Sequence, residues 1–225
     1  GALYYDREGN LQEQRAKVVV MACNGVGTAR LLLNSKSSLF PDGLANSSGM
    51  IGRNLMFHPY SMVMGVFDEQ LEGYKGPMGC MITSSEFYET DLSRGFVRGY
   101  AFQIIRNSGP AITAQGFVTT SKVPWGSDHH RVFNERFGRT ITVAVTGEDL
   151  PEPHNRVTLD PDLADGDGIP APKIEYRMSK NSLKMMDHGI GRGTEVLQAA
   201  GAKEILVNLL LRPAGWHLLG TARGI

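Results

Sequence analysis

Residues 18–23 read Val-Val-Val-Met-Ala-Cys, and Asn24-Gly25-Val26-Gly27-Thr28 follows at once. Apolar residues at successive rather than alternate positions suit a strand buried on both faces of a parallel sheet. The glycine-containing segment then turns the chain into a helix that runs through Leu31-Leu32-Leu33 and fails at Asn34-Ser35. A loop rich in Ser, Gly and Asn extends from there to Gly52. This order sets a helix N-terminus at the end of a buried strand, where backbone N–H groups can meet a phosphate without obstruction from a Cβ. A purely structural strand-to-helix turn explains the same residues. The full Gly-x-Gly-x-x-Gly fingerprint is not met, because Arg30 stands at the third glycine position.

Downstream the texture changes. Residues 62–67, 97–105, 111–119 and 140–145 are β-branched or aromatic stretches punctuated by Gly and Pro, which predicts an antiparallel sheet. Residues 3–5 read as a further strand near the start. The acidic stretch 148–167 reads as a solvated pair of turns around a short strand at 156–159, and another strand is expected at 174–178. Ser179 or Asn181 can cap a helix in which Leu183, Met186, Ile190, Leu197 and Ala200 recur at helical spacing up to Gly201. Gly189, Gly191 and Gly193 each cost that helix about 1 kcal/mol relative to Ala, so it depends on tertiary packing. A strand at 205–211 follows, broken at 213–215. The expected fold class is α+β.

Composition removes several functions. In 225 residues, 23 Lys and Arg balance 23 Asp and Glu, so no net field exists to hold a nucleic-acid backbone. The two cysteines, Cys23 and Cys80, make neither a disulfide scaffold nor a Cys-x-x-Cys site. The longest apolar runs, at 18–23 and 205–211, are far shorter than the roughly 20 residues of a transmembrane helix. No nucleophile elbow, paired-histidine zinc motif or P-loop occurs, and no metal site is expected. His129 and His130 lie side by side in a loop, while His154 and His188 sit in a polar turn and on a helix. His217, between Trp216 and Leu218 ahead of Gly220, has a side-chain type suited to proton transfer near neutrality. Packing against its aromatic neighbour is the alternative reading of His217.

Four stretches, 18–33 (VVVMACNGVGTARLLL), 40–59 (FPDGLANSSGMIGRNLMFHP), 147–161 (GEDLPEPHNRVTLDP) and 216–223 (WHLLGTAR), together resemble the glucose-methanol-choline family of FAD-dependent oxidoreductases. The likeness is to its gluconate- and sugar-dehydrogenase-like branch. The resemblance implies part of a Rossmann-like FAD-binding domain at 1–57, a substrate domain with an antiparallel sheet and a long helix at 58–208, and a return into the FAD domain at 209–225. It implies FAD as cofactor, held near Ala22, Cys23, Asn24, Gly25, Gly27 and Thr28, with His217 as the base beside the flavin. The implied reaction is oxidation of an alcohol, on a sugar or sugar acid, by hydride transfer to FAD. Oxygen, a quinone, and a cytochrome or small subunit are all open as the electron acceptor.

The family's first glycine fingerprint and its second active-site residue have no counterpart here, so the sequence reads as an internal section of a longer enzyme, incomplete as a catalyst by itself. A non-catalytic binding or assembly piece is the alternative.

Overall fold

The computed structural model describes residues 1–77, 79–106, 109–116, 123–208 and 216–223, with Trp216 described by its backbone alone. In chain order the elements are β1 (Ala2–Tyr5), β2 (Leu11–Gln14), α1 (Asn24–Asn34), β3 (Met56–His58), β4 (Tyr60–Val66), β5 (Gly79–Ser84), β6 (Tyr100–Arg106), α2 (Pro110–Gln115), α3 (Asp128–Arg136), β7 (Thr140–Gly147), β8 (Arg156–Ala164), β9 (Pro170–Glu175), α4 (Lys180–Ala199), β10 (Glu204–Asn208) and β11 (Trp216–Leu219). Helices combined with antiparallel sheets agree with an α+β chain. No helix among the described residues is long and apolar enough to cross a membrane. Two compact units form: Gly1–Phe57 with Leu150–Arg177 and His217–Ile225, and His58–Asp149 with Met178–Trp216.

The second unit is built on a five-stranded sheet in the order β10-β4-β7-β6-β5, antiparallel throughout. β4 is buried at all seven positions, as a central strand covered on both faces must be. One face carries Val63, Tyr100, Phe102, Val143 and Val145 against Met185, Met186 and Leu197 of α4. The other gathers Tyr60, Met62 and Ala144. Each large apolar side chain so buried contributes roughly 1.5–3 kcal/mol.

The start of α4 is fixed by polar chemistry. Ser179 accepts the Ser182 N–H at 2.9 Å, and the buried Ser182 hydroxyl donates to the buried Asp149 carboxylate at 2.8 Å. The Ser179 hydroxyl satisfies one of the first amides, and an acidic side chain is favoured at the positive end of the helix dipole.

The packed face of α4 differs from the expected stripe. Leu183 and Ala200 are exposed, whereas Gly189 and Gly193 are buried with Met185, Met186 and Leu197. A Cβ on Gly189 would stand 2.5 Å from Val145 Cγ1, so the glycines permit the close approach of helix to sheet. Residues 111–115, expected in a strand, belong instead to α2. Pro110 with its preset φ occupies the first turn, and the Thr113 hydroxyl donates to Gly109 O at 3.2 Å. The remainder of that expected strand lies at 117–119, outside the described residues, as do 209–211 and the break at 213–215.

In the first unit, β1 and β2 form an exposed hairpin. The buried strand expected at 18–22 is not formed: Val18, Val19 and Val20 are 77%, 50% and 83% exposed. Apolar side chains make a strand only where neighbouring strands take up the peptide N–H and C=O groups, and no strand among the described residues pairs with this segment. α1 does form and ends at Asn34 as expected, its last turn closed by the Ser35 N–H on Leu31 O and Leu32 O.

The acidic stretch proves to be a hairpin, β8 with β9, rather than two turns, and β9 begins four residues before the strand expected at 174–178. α1 packs on this hairpin. Arg30 Nε donates to Pro170 O at 2.7 Å, and its Nη2 donates to Ile169 O and pairs with Asp165. These bonds explain why 150–177, expected within 58–208, group with 1–57.

Candidate functional site

Within the first unit, the predicted site residues surround the start of α1. Asn24 has φ +57°, a left-handed conformation that Asn tolerates better than most residues, and it tips the chain from coil into helix. Its side-chain carbonyl accepts the N–H groups of Val26 and Gly27 at 2.9 and 3.0 Å. The Cys23 N–H is taken by Thr28 Oγ1 at 3.3 Å. Ala22, Cys23 and Asn24 are exposed, and Gly25, Gly27 and Thr28 are half-buried.

β11 and the segment after it reach the same place. A Cβ on Gly25 would stand 2.6 Å from Leu218 Cβ, so the glycine is required for Leu218 to lie against the helix start. The buried Thr221 hydroxyl donates to Gly25 O at 2.5 Å, and Thr221 O accepts from Gly52 N at 2.7 Å. Gly220, at φ +86°, passes so close to Asn54 O that a Cβ would stand 1.9 Å from it. His217 is therefore next in sequence to a residue packed on Gly25. It is itself exposed, with φ +55°, a left-handed value in mid-strand. Such a conformation costs of order 1–3 kcal/mol and persists because the residues after it are held from several sides.

Two amides at this helix start, those of Asn24 and Gly25, are left without a protein partner among the described residues, and the first turn of α1 carries no acidic side chain. An anionic group can therefore be received here, with the helix dipole favouring it. The residues present fit a phosphate-bearing cofactor at two amides, while the other first-turn amides are capped by Asn24. Both glycines are accounted for by packing, since a Cβ on Gly27 would meet Cys23 Cβ at 3.1 Å.

Sequence reasoning missed Leu218, Gly220, Thr221 and Asn54 as the residues that hold this arrangement. The only local signal was the Gly-Thr pair after the leucines.

His58, in the second unit, lies with Nδ1 3.0 Å from Gly147 O. A carbonyl can only accept, so Nδ1 carries the proton and Nε2 is the acceptor in the neutral ring. His154 pairs with Glu152 at 3.1 Å. Among the described residues no cluster of His, Cys, Asp and Glu could hold a metal ion.

No protein-family model matches the chain. It is 45% identical to a 2-methyl-1,2-propanediol dehydrogenase of Mycolicibacterium austroafricanum, over 99% of this chain and 41% of that protein. It is 28% identical to the fructose dehydrogenase large subunit of Gluconobacter japonicus, over 98% of this chain and 40% of that one. To the gluconate 2-dehydrogenase flavoprotein of Pantoea cypripedii the identity is 22%, over 92% and 34%. These relatives are oxidoreductases. The chain spans well under half the length of each, and the matched portion takes in both the α1 start and the segment around His217 in the first two.

Proposed function

We propose that this chain is the section of a FAD-dependent alcohol oxidoreductase, of the glucose-methanol-choline family, that brings a histidine base to the cofactor. The observation that carries the reading is the packing of Leu218 and Thr221 on Gly25, which ties the His217 strand to a helix start with two open amides. The relatives supply the chemistry by analogy: their names specify alcohol or sugar oxidation, and one is a flavoprotein.

Bound FAD would supply the hydride acceptor. The amides of Asn24 and Gly25 would receive an anionic part of it, and Asn24 would keep the helix start rigid through its own caps. His217 would take the proton from the hydroxyl oxygen as hydride leaves the carbon that bears it, a role suited to an imidazole side chain.

For substrate we favour an alcohol carbon next to a second oxygenated carbon, a pattern shared by the diol and the sugars in the relatives' names. The electron acceptor we propose is a cytochrome or small subunit, in line with a relative named as a large subunit.

The test is His217→Ala in the full-length enzyme. Anaerobic stopped-flow reduction of the flavin by substrate should slow by roughly 10²- to 10⁴-fold with the flavin content unchanged. Undiminished reduction would assign His217 to packing alone.

A further inference from the structure

The first unit also contains a cavity of about 620 Å³ away from the start of α1. It opens beside the end of that helix, at Leu33 and, two residues past Asn34, Lys36, between the loop 42–53 and strand β8. α1 rises about 1.5 Å per residue over its 11 residues, so the cavity and the Asn24 amides lie roughly 15 Å apart along the helix. The volume falls in the range of pockets that hold small organic molecules.

The charges on its wall are uneven. Lys36, Arg53 and Arg156 line it, with Asp42 as the opposing acid. Arg53 and Arg156 face each other across an isolated antiparallel bridge. Residues opposed in this way direct their side chains to the same face, and like charges there are destabilising.

Arg156 is relieved by Glu175, at 2.5 Å from its Nε. Arg53 is not relieved: its Nε donates to Gly49 O at 2.9 Å, and it pairs with no carboxylate among the described residues. Lys36 likewise has no ion-pair partner among them. Four apolar residues, Leu33, Ile51, Val157 and Leu159, also line it. The negative end of the α1 dipole works against an anion, but its carbonyls at Leu31 and Leu32 are already bonded, to Ser35 and to the Leu44 N–H.

We infer that this cavity binds a small amphipathic anion, a carboxylate with a short aliphatic body, its head between Arg53 and Lys36 and its chain on Leu33 and Ile51. Two unrelieved cations and four apolar residues on one cavity wall match the two halves of such a ligand, and neither half alone uses both features. The site is independent of the flavin reading, because it shares no residue with the α1 start or the His217 segment.

Calorimetric titration of the protein with sodium octanoate, at low and at high salt, tests the inference. One saturable site is expected, weakened by added salt. Arg53→Gln and Lys36→Gln should each lower the affinity about tenfold or more. Both side chains are exposed, so the fold should survive their loss. Ser47→Trp, which narrows the cavity without altering charge, should weaken binding as well. Absence of saturable binding, or binding at full strength in both charge variants, would overturn the assignment. Inorganic phosphate binding as tightly as octanoate would overturn the aliphatic half of it.

Discussion

His217 and Asn24 both adopt left-handed backbone at the place where the β11 segment meets the start of α1. Asn24 is a residue type that accepts this conformation locally, whereas at His217 it is held by the contacts of the residues that follow, Leu218, Gly220 and Thr221. A second histidine is governed by burial instead. His188 Nδ1 lies 2.8 Å from the Tyr100 hydroxyl, and Phe87 and Phe96 present their rings to it. Desolvation holds its pKa below the usual imidazole value, reinforced by Arg192 and Arg94 and opposed by Glu195. The folded protein therefore binds this proton less readily than the unfolded chain does. Its contribution to stability is whole above the unfolded value of about 6.5 and declines as the pH falls below that, until the lowered folded value is reached. Urea midpoints measured between pH 7.5 and 5.5 should thus fall more steeply for the natural protein than for His188→Gln, in which the titrating ring is gone. Parallel slopes would show that His188 carries no linked proton.

At the scale of elements, α4 shows how one residue type takes opposite roles along a single helix. Gly189 faces Val145 and Tyr100, and Gly191 two residues on faces open space. Gly189→Ala should destabilise the second unit by roughly 1–3 kcal/mol, because overpacking outweighs the gain in helix propensity. Gly191→Ala should stabilise it by about 0.5–1 kcal/mol, the propensity gain alone. Chemical denaturation of the two variants checks both signs; an equal response would mean that the helix does not press on the sheet at Gly189. The helical spacing of apolar residues announced α4, and of the two candidate caps, Ser179 and Asn181, Ser179 is the one at its start. Spacing could not reveal that the buried face is centred on glycines, since a missing side chain leaves no apolar signal.

For the whole molecule, the contrast is between the paired sheet of the second unit and the unpaired apolar run at 18–22. Amide hydrogens of that run should exchange close to the free-peptide rate, and those of β4, β6 and β7 most slowly, as central ladders open only with the unit. Hydrogen-exchange mass spectrometry reads this directly, and slow exchange at 18–22 would mean that the segment is paired. Much of this chain was determined by its sequence: the antiparallel sheet, the span of α1 and the capped helix α4 all follow from local pattern, turn chemistry and the side chains that satisfy helix ends. The likeness to alcohol and sugar oxidoreductases likewise runs along nearly the whole chain. Tertiary structure decided that the apolar run at 18–22 is not a strand, because a strand exists only through partners that its own residues do not specify. It likewise decided that 150–177 group with 1–57, through the Arg30 bonds, and that Leu218 and Thr221 close on Gly25. Those contacts join residues more than a hundred positions apart, and nothing in the local sequence encodes such a distance.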